Sequence, residues 1–305
     1  MTTHRRSLIV TGAGGFVAGS ILAQAGDTWD VHAVSRGEPA LQRPWIHWHR
    51  FDPAETAKLD ALASSAQPHA IIHTAALADI DFCQANRDKA TEVNTTLTRS
   101  IADICRTRGL RLVFCSTDTV FDGEHAPYRE QDTPVPVNFY AETKIAAEKI
   151  VSELGGLGVI ARLSLVIGLP IAGVGNSFTA KVVASLKEGR KVTVPVEEIR
   201  TPIDVITLGQ ALLELAGNEF SGAIHLSGND RLNRLELCHL IASQWNLSPE
   251  PIQASAPTAI AGRAPRPRDV SLDNSLAASV LNTPLRGATE GLALWFSDPV
   301  RARIA

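Results

Sequence analysis

A chain of 305 residues, 45% hydrophobic and 20% charged, is long enough for one large core with a smaller lobe, and no segment is polar enough to read as a disordered tail. Its formal net charge of -3, without a long Lys/Arg run, excludes the electrostatic footprint of a nucleic-acid binder or of a protein held to an anionic membrane. The apolar run at 8–10 is too short for a signal-peptide core or a membrane span, and Cys83, Cys105, Cys115 and Cys238 have neither CxxC nor zinc-ligand spacing, so reduced thiols in a cytoplasmic, metal-free protein are expected.

In chain order, short β-branched runs at 8–11, 31–35, 46–51, 70–74 and 112–116 alternate with amphipathic stretches at 53–66 and 86–107. The alternation predicts a parallel sheet with crossover helices, an α/β fold of the doubly wound Rossmann kind. A helix at 141–154, closed by Gly155 and Gly156, precedes a buried strand at 159–167. Beyond Gly168 the pattern loosens: Pro170, Gly173, Gly175 and Pro195 interrupt it, with helices predicted at 178–188, 207–216 and 235–245 and a strand at 224–227. Residues 1–167 are therefore expected to form the dinucleotide-binding domain, and residues 168–305 a smaller substrate lobe interleaved with the last strands of the sheet. The proline-rich stretch 248–267 also carries apolar residues and is predicted to be an ordered surface loop.

Thr11-Gly12-Ala13-Gly14-Gly15-Phe16-Val17-Ala18-Gly19 follows the first predicted strand and opens a helix, the context that a dinucleotide turn requires. Gly12 allows the tight turn, Gly15 lets backbone approach a pyrophosphate, and Ala18 stands where a third glycine would bring helix and sheet together. Gly12, Gly14, Gly15, Phe16 and Val17 are the cofactor candidates, although a plain strand-to-helix connection also uses glycines. The second predicted strand ends in Val34-Ser35-Arg36 rather than in the acid that bonds an NAD ribose. Ser35 and Arg36 therefore point to a 2′-phosphate and NADP(H), against Arg36 as a solvated loop residue. Asp52 is either a partner for the adenine amino group or the cap of the next helix.

Only two tyrosines occur, and one stands in Tyr140-Ala141-Glu142-Thr143-Lys144, which places phenol and ammonium on one helix face at i and i+4. Close to Lys144 and a nicotinamide cation, the Tyr140 phenol is expected to fall from about 10 toward working pH and to pass a proton to a carbonyl oxygen. Cys115-Ser116-Thr117-Asp118 delivers hydroxyls to the carboxyl end of a strand, the ligand side of such sheets. Thr117 is the candidate for the substrate oxygen, with Ser116 its alternative and a simple strand end the competing reading.

These segments resemble the dTDP-4-dehydrorhamnose reductase branch of the extended short-chain dehydrogenases/reductases along nearly the whole chain. The resemblance rests on residues 12–19, His73-Thr74-Ala75-Ala76, Ser116-Thr117-Asp118 with Val120-Phe121-Asp122-Gly123, Pro136-Val137-Asn138-Phe139-Tyr140, and Arg266-Pro267 with Leu272-Asp273. It implies reduction of a 4-keto nucleotide sugar by NADPH. Thr117 would orient the carbonyl, Tyr140 act as acid, Lys144 bind ribose and tune Tyr140, and Ala75 with Ala76 line the cofactor. Asn94 would support a helix kink or a water relay, or be a simple helix-face amide. Asn176, Arg200 and Arg266 are placed around a substrate diphosphate or sugar, with surface ion pairs as the competing reading for the arginines. His73 is expected to be a packed histidine without chemistry.

Thr119, Leu77 and Leu165 stand where relatives often carry Tyr, Tyr and Trp, so an altered sugar pocket is expected. Thr119 also lacks the acid that 4,6-dehydratases use for water elimination. Two alternatives share the residues: a reductase or epimerase of another sugar or small carbonyl compound, and a non-catalytic NADP-binding regulator, since the β subunit of methionine adenosyltransferase belongs to this branch and resembles Arg266-Pro267-Arg268. Pairing into a homodimer follows by analogy with relatives.

Overall fold

The computed structural model describes residues 5–172, 177–255 and 262–297. The first half alternates as expected: β1 (Arg6–Thr11), α1 (Phe16–Gln24), β2 (Trp29–Ser35), β3 (Ile46–Arg50), α2 (Thr56–Ala66), β4 (Ala70–His73), two short helices α3 (Ile80–Ala85) and α4 (Arg87–Thr91), α5 (Leu97–Arg108), β5 (Arg111–Thr117), α6 (Phe139–Ser152) and β6 (Gly158–Leu163). Then follow β7 (Val166–Ile167), α7 (Phe178–Lys187), β8 (Val192–Pro195), β9 (Ile199–Arg200), β10 (Ile203–Asp204), α8 (Val205–Gly217), β11 (Gly222–Leu226), β12 (Leu232–Asn233), α9 (Arg234–Gln244) and β13 (Ile252–Ser255).

Seven strands form one sheet in the order β11-β6-β5-β4-β1-β2-β3, and every pairing in it is parallel. The fold is the doubly wound α/β sheet that the alternation predicted, with β11 supplied by the second half of the chain. Leu8 and Val10 of β1 face α1 and α8, while Ile9 faces α2, α5 and α6. All three are fully buried, each worth about 1.5–3 kcal/mol. A one-residue slip would exchange the two faces, so the register is fixed by burial on both sides. A third cluster, built by α7, β8, α9 and β13 around Val183, Leu186, Leu237 and Ile252, lies apart from the sheet.

Two expectations need correction. The run at 159–167 is not one strand: β6 ends at Leu163, in register with Leu226 and Thr117, and β7 turns away to pair with β10. The Ser164 amide closes the turn on the Leu226 carbonyl, and its hydroxyl lies 3.3 Å from Asp118 Oδ2. Stretch 248–267 is not all loop, since β13 pairs in parallel with β8 and buries Ile252; the flanking prolines concealed so short a strand.

Candidate active site

β1 stops at Thr11 and the chain turns through Gly12 at a left-handed φ of +72°. A Cβ there would lie 2.7 Å from the backbone N and Cα of Ala75, so only glycine lets the turn press against the loop that follows β4. Thr74 Oγ1 fastens that loop by donating to the Thr11 carbonyl at 2.7 Å. Gly14 approaches Ser35 closely, a Cβ being 3.2 Å from its Oγ. Gly15 caps α1 without a side chain, and the first turn of that helix carries no acid. Gly15, Phe16 and Val17 line a cleft of about 640 Å³. Free amides and a positive helix end facing such a space fit the pyrophosphate of a dinucleotide. Ala76 lines the cleft too, while Ala75 packs beneath it against the sheet core.

At the end of β2, Ser35 Oγ accepts from the Gly37 amide at 3.2 Å. Arg36 is 75% exposed and its Nη1 stands 3.7 Å from Asp52 Oδ2. Asp52 Oδ1 accepts from the Ala54 amide at 3.0 Å, so it caps the turn ahead of α2, which itself begins from Glu55. The three residues form one polar group beside the glycine turn.

On the other side of the cleft, Thr117 ends β5 and caps a short turn, accepting from the Thr119 amide at 3.2 Å with Thr119 Oγ1 at 3.0 Å. α6 starts from Asn138, whose Oδ1 accepts from the Ala141 amide at 2.9 Å. Tyr140 and Lys144 lie one turn apart on α6, 8% and 2% exposed, and both line the cleft with Thr117. Lys144 Nζ donates to the Cys115 carbonyl at 2.7 Å and sits 4.0 Å over the Phe114 ring. Burial lowers its pKa to about 8.

Burial pushes the Tyr140 phenol up, with the Thr117 hydroxyl opposing, while the Lys144 ammonium donates to the Cys115 carbonyl. The phenol is therefore held protonated, the state a proton donor needs. Burial pushes the neighbouring Cys115 thiol up to about 12, so this sulfur is no thiolate nucleophile.

Asn94 lies buried in a π-helical turn, Glu92–Thr96, between α4 and α5. Its Oδ1 accepts from the Leu77 amide at 2.8 Å, and its Nδ2 donates to the Leu77 carbonyl at 3.0 Å and to Thr143 Oγ1 at 3.1 Å. The kink thus pins the loop after β4 to the helix that carries Tyr140. His73 is packed between the hydroxyls of Thr11 and Thr98, at 2.7 and 3.2 Å. Burial, and then Lys144, lower its pKa to about 3, and the ring stays neutral.

Arg200 and Arg266 both line the cleft, but their guanidinium groups are engaged. Arg200, 3% exposed, donates to the carbonyls of Ile199, Arg268 and Pro267, and its Nε lies 3.5 Å from Asp118 Oδ2. Burial pushes the Asp118 carboxyl up, with Arg200 and Arg234 opposing. Arg266 grips both oxygens of Asp81 at 2.6 and 2.8 Å. Asn176 lies outside the described residues. Sequence reasoning missed Lys181, Glu198, Arg234 and Arg263, which share the cleft wall with Phe178. Their elements are far apart in sequence and only the second lobe's packing brings them together; the capping box of Asn233 and Glu236 that opens α9 places Arg234 at a helix start but not at a site.

Residues 6–299 match the RmlD substrate binding domain family. The β subunit of methionine adenosyltransferase 2 from Pongo abelii is 27% identical over 276 residues, which is 88% of this chain and 81% of that protein. The dTDP-4-dehydrorhamnose reductase of Mycobacterium tuberculosis is 27% identical over 309 residues, 99% of this chain and 96% of that enzyme. A crystal structure of dTDP-4-dehydrorhamnose reductase from Bacillus anthracis in complex with NADP shares the fold, with a TM-score of 0.84 at 24% identity over 96% of this chain and 99% of that one. With the match spanning nearly every residue of both halves, the chain belongs to the RmlD substrate binding domain family of the extended short-chain dehydrogenases/reductases.

Proposed function

We propose that the protein is an NADPH-dependent reductase that converts the ketone of a 4-keto nucleotide sugar to an alcohol, acting in the cytoplasm. The observation that carries this reading is the convergence of Thr117, Tyr140 and Lys144 on one cleft, opposite the acid-free N-terminus of α1. Bound NADPH would supply the hydride to the carbonyl carbon. The Thr117 hydroxyl donates a hydrogen bond to the carbonyl oxygen and orients it, Tyr140 gives its phenolic proton to that oxygen, and Lys144 holds the nicotinamide ribose and stabilises the phenolate left behind. Turnover of reduced nicotinamide with dTDP-4-dehydrorhamnose is the test. No consumption of NADPH with this or other keto-sugars, despite tight NADPH binding, would favour the regulatory reading, which the relationship to the methionine adenosyltransferase β subunit supports.

Two expected results follow from the geometry. Ser35 and Arg36 are the proposed partners of the 2′-phosphate. Arg36→Ala is expected to weaken NADPH about tenfold, the loss of one charge-assisted contact, and to leave NADH binding unchanged. Equal affinities of the parent for the two cofactors, read by fluorescence titration, would remove the assignment. The second concerns pH. Lys144 acts as a cation, and its pKa in the folded protein is lowered to about 8, so the charged form is present below that pH and lost above it. Accordingly kcat/KM for reduction is expected to be level on the acid side and to fall as pH rises through about 8. A profile still level well into the alkaline range would show that the Lys144 charge is not required.

A further inference from the structure

Behind the cleft wall a continuous chain of buried polar groups runs from the glycine turn to the helix of Tyr140, and no step of the proposed reaction uses it. Thr11 Oγ1 meets His73 Nδ1 at 2.7 Å, and His73 Nε2 meets Thr98 Oγ1 at 3.2 Å. Thr98 Oγ1 donates to the Asn94 carbonyl at 2.8 Å, Asn94 Nδ2 donates to Thr143 Oγ1 at 3.1 Å, and Thr143 Oγ1 donates to the Tyr140 carbonyl at 2.7 Å. All of these residues are at most 3% exposed. They belong to β1, β4, the π-helical turn, α5 and α6, which only the tertiary fold brings together.

Counting protons gives each bond its direction. The Thr98 hydroxyl has a single proton, and the Asn94 carbonyl takes it, so Thr98 can only accept from the imidazole. His73 therefore carries its proton on Nε2, and the bare Nδ1 accepts from the Thr11 hydroxyl. Asn94 uses its two amide protons on the Leu77 carbonyl and on Thr143. A neutral ring, which burial favours, offers one donor and one acceptor where the chain needs one of each. A buried network satisfied in this way holds its members in one geometry, since no water is there to replace a lost partner.

Both ends of the chain bear on the cleft. Thr11 is the last residue of β1; its carbonyl accepts from Thr74 Oγ1, and Gly12 beside it presses on Ala75. Asn94 holds both backbone groups of Leu77, and Thr143 lies on α6 between Tyr140 and Lys144. His73 itself does not line the cleft.

We propose that His73 is a positioning residue that couples dinucleotide occupancy of the glycine turn to the placement of Tyr140, acting through Thr11 on one side and through Thr98, Asn94 and Thr143 on the other. The effect on turnover rests on the reductase reading, whereas the coupling itself does not. A histidine that only filled the core would affect stability without changing what NADP binding does to distant amides.

The test is hydrogen exchange, followed by mass spectrometry, with and without NADP+ at a concentration saturating for each protein. Residues 92–98 line no part of the cleft, so protection there reports coupling rather than contact. Thr98→Val keeps the shape of the side chain and removes the hydroxyl, which frees the His73 ring to turn its proton toward Thr11, and Thr98→Ser restores the link. NADP+ is expected to slow exchange across 92–98 in the parent by about threefold or more, and to lose that effect in Thr98→Val and His73→Phe but not in Thr98→Ser. Thr98→Val carries the test should His73→Phe fail to fold. In turnover, Thr98→Val is expected to lower kcat about tenfold while KM for NADPH stays within about twofold. If NADP+ leaves 92–98 unchanged in the parent, or protects Thr98→Val as strongly, the coupling does not exist. A parent-like kcat in Thr98→Val, or a rise in KM alone, overturns the placement of Tyr140 by this chain. An inactive parent whose protection is lost in Thr98→Val removes the reductase reading and keeps the coupling; an active parent without protection does the reverse.

Discussion

Tyr140→Phe is expected to lower keto-sugar turnover by about 10²–10⁴-fold, the range for removing a positioned general acid, which corresponds to roughly 3–5 kcal/mol of transition-state stabilisation. The substitution removes one oxygen from a side chain 8% exposed and keeps the ring that packs with Cys83 and Ala90, so the fold is not disturbed. NADPH binding should hold, because the glycine turn and Lys144 are untouched. The loss should fall on kcat and kcat/KM together, as for an interaction made only in the transition state. Turnover by Tyr140→Phe within about tenfold of the parent would place the acid elsewhere, since positioning alone does not replace a proton donor. Thr117→Ala supplies an internal comparison. It removes a hydrogen bond to the carbonyl rather than the proton itself, and a smaller loss is expected.

The sheet and the catalytic pair were legible from sequence because both are local patterns. Apolar runs such as Leu8 to Val10, alternating with amphipathic stretches, fit the inner strands of a parallel sheet, where the structure buries them on both faces, and Tyr140 and Lys144 meet through the helix period alone. Gly12 was legible for a related reason: its left-handed φ is a demand that the residue type itself announces. The substrate side was not legible. Whether an arginine reads a ligand or seals a loop depends on where its guanidinium ends up. Arg200 and Arg266 end up on Asp118 and Asp81, partners 82 and 185 residues away in sequence. Arg234 is marked locally only as the start of a helix, and its place in the cleft wall is a product of how α9 packs on α7.

Glu148→Gln is expected to destabilise the protein by about 3–5 kcal/mol, the usual cost of breaking a buried ion pair from one side. Glu148 is two turns beyond Tyr140 on the buried face of α6, and it and Arg162 of β6 are each 6% exposed. Arg162 donates to it from Nε at 3.1 and 3.2 Å and from Nη2 at 2.9 Å, while Ser116 donates to Oε1 at 2.6 Å. One carboxylate thus fixes α6 to both β5 and β6 directly behind Thr117 and Lys144. An uncharged amide would leave the Arg162 guanidinium enclosed against Phe121 and His225 with its charge uncompensated. Thermal melting should show a drop on the order of 10 °C. The double variant Glu148→Leu with Arg162→Leu removes both charges and should cost less than Glu148→Gln alone. If the double variant is instead the less stable, the pair contributes net attraction that exceeds its desolvation. If Glu148→Gln melts within about 2 °C of the parent, α6 is held by Leu154, Val151 and their apolar neighbours alone, and the spacing of Tyr140 from Thr117 does not depend on this carboxylate.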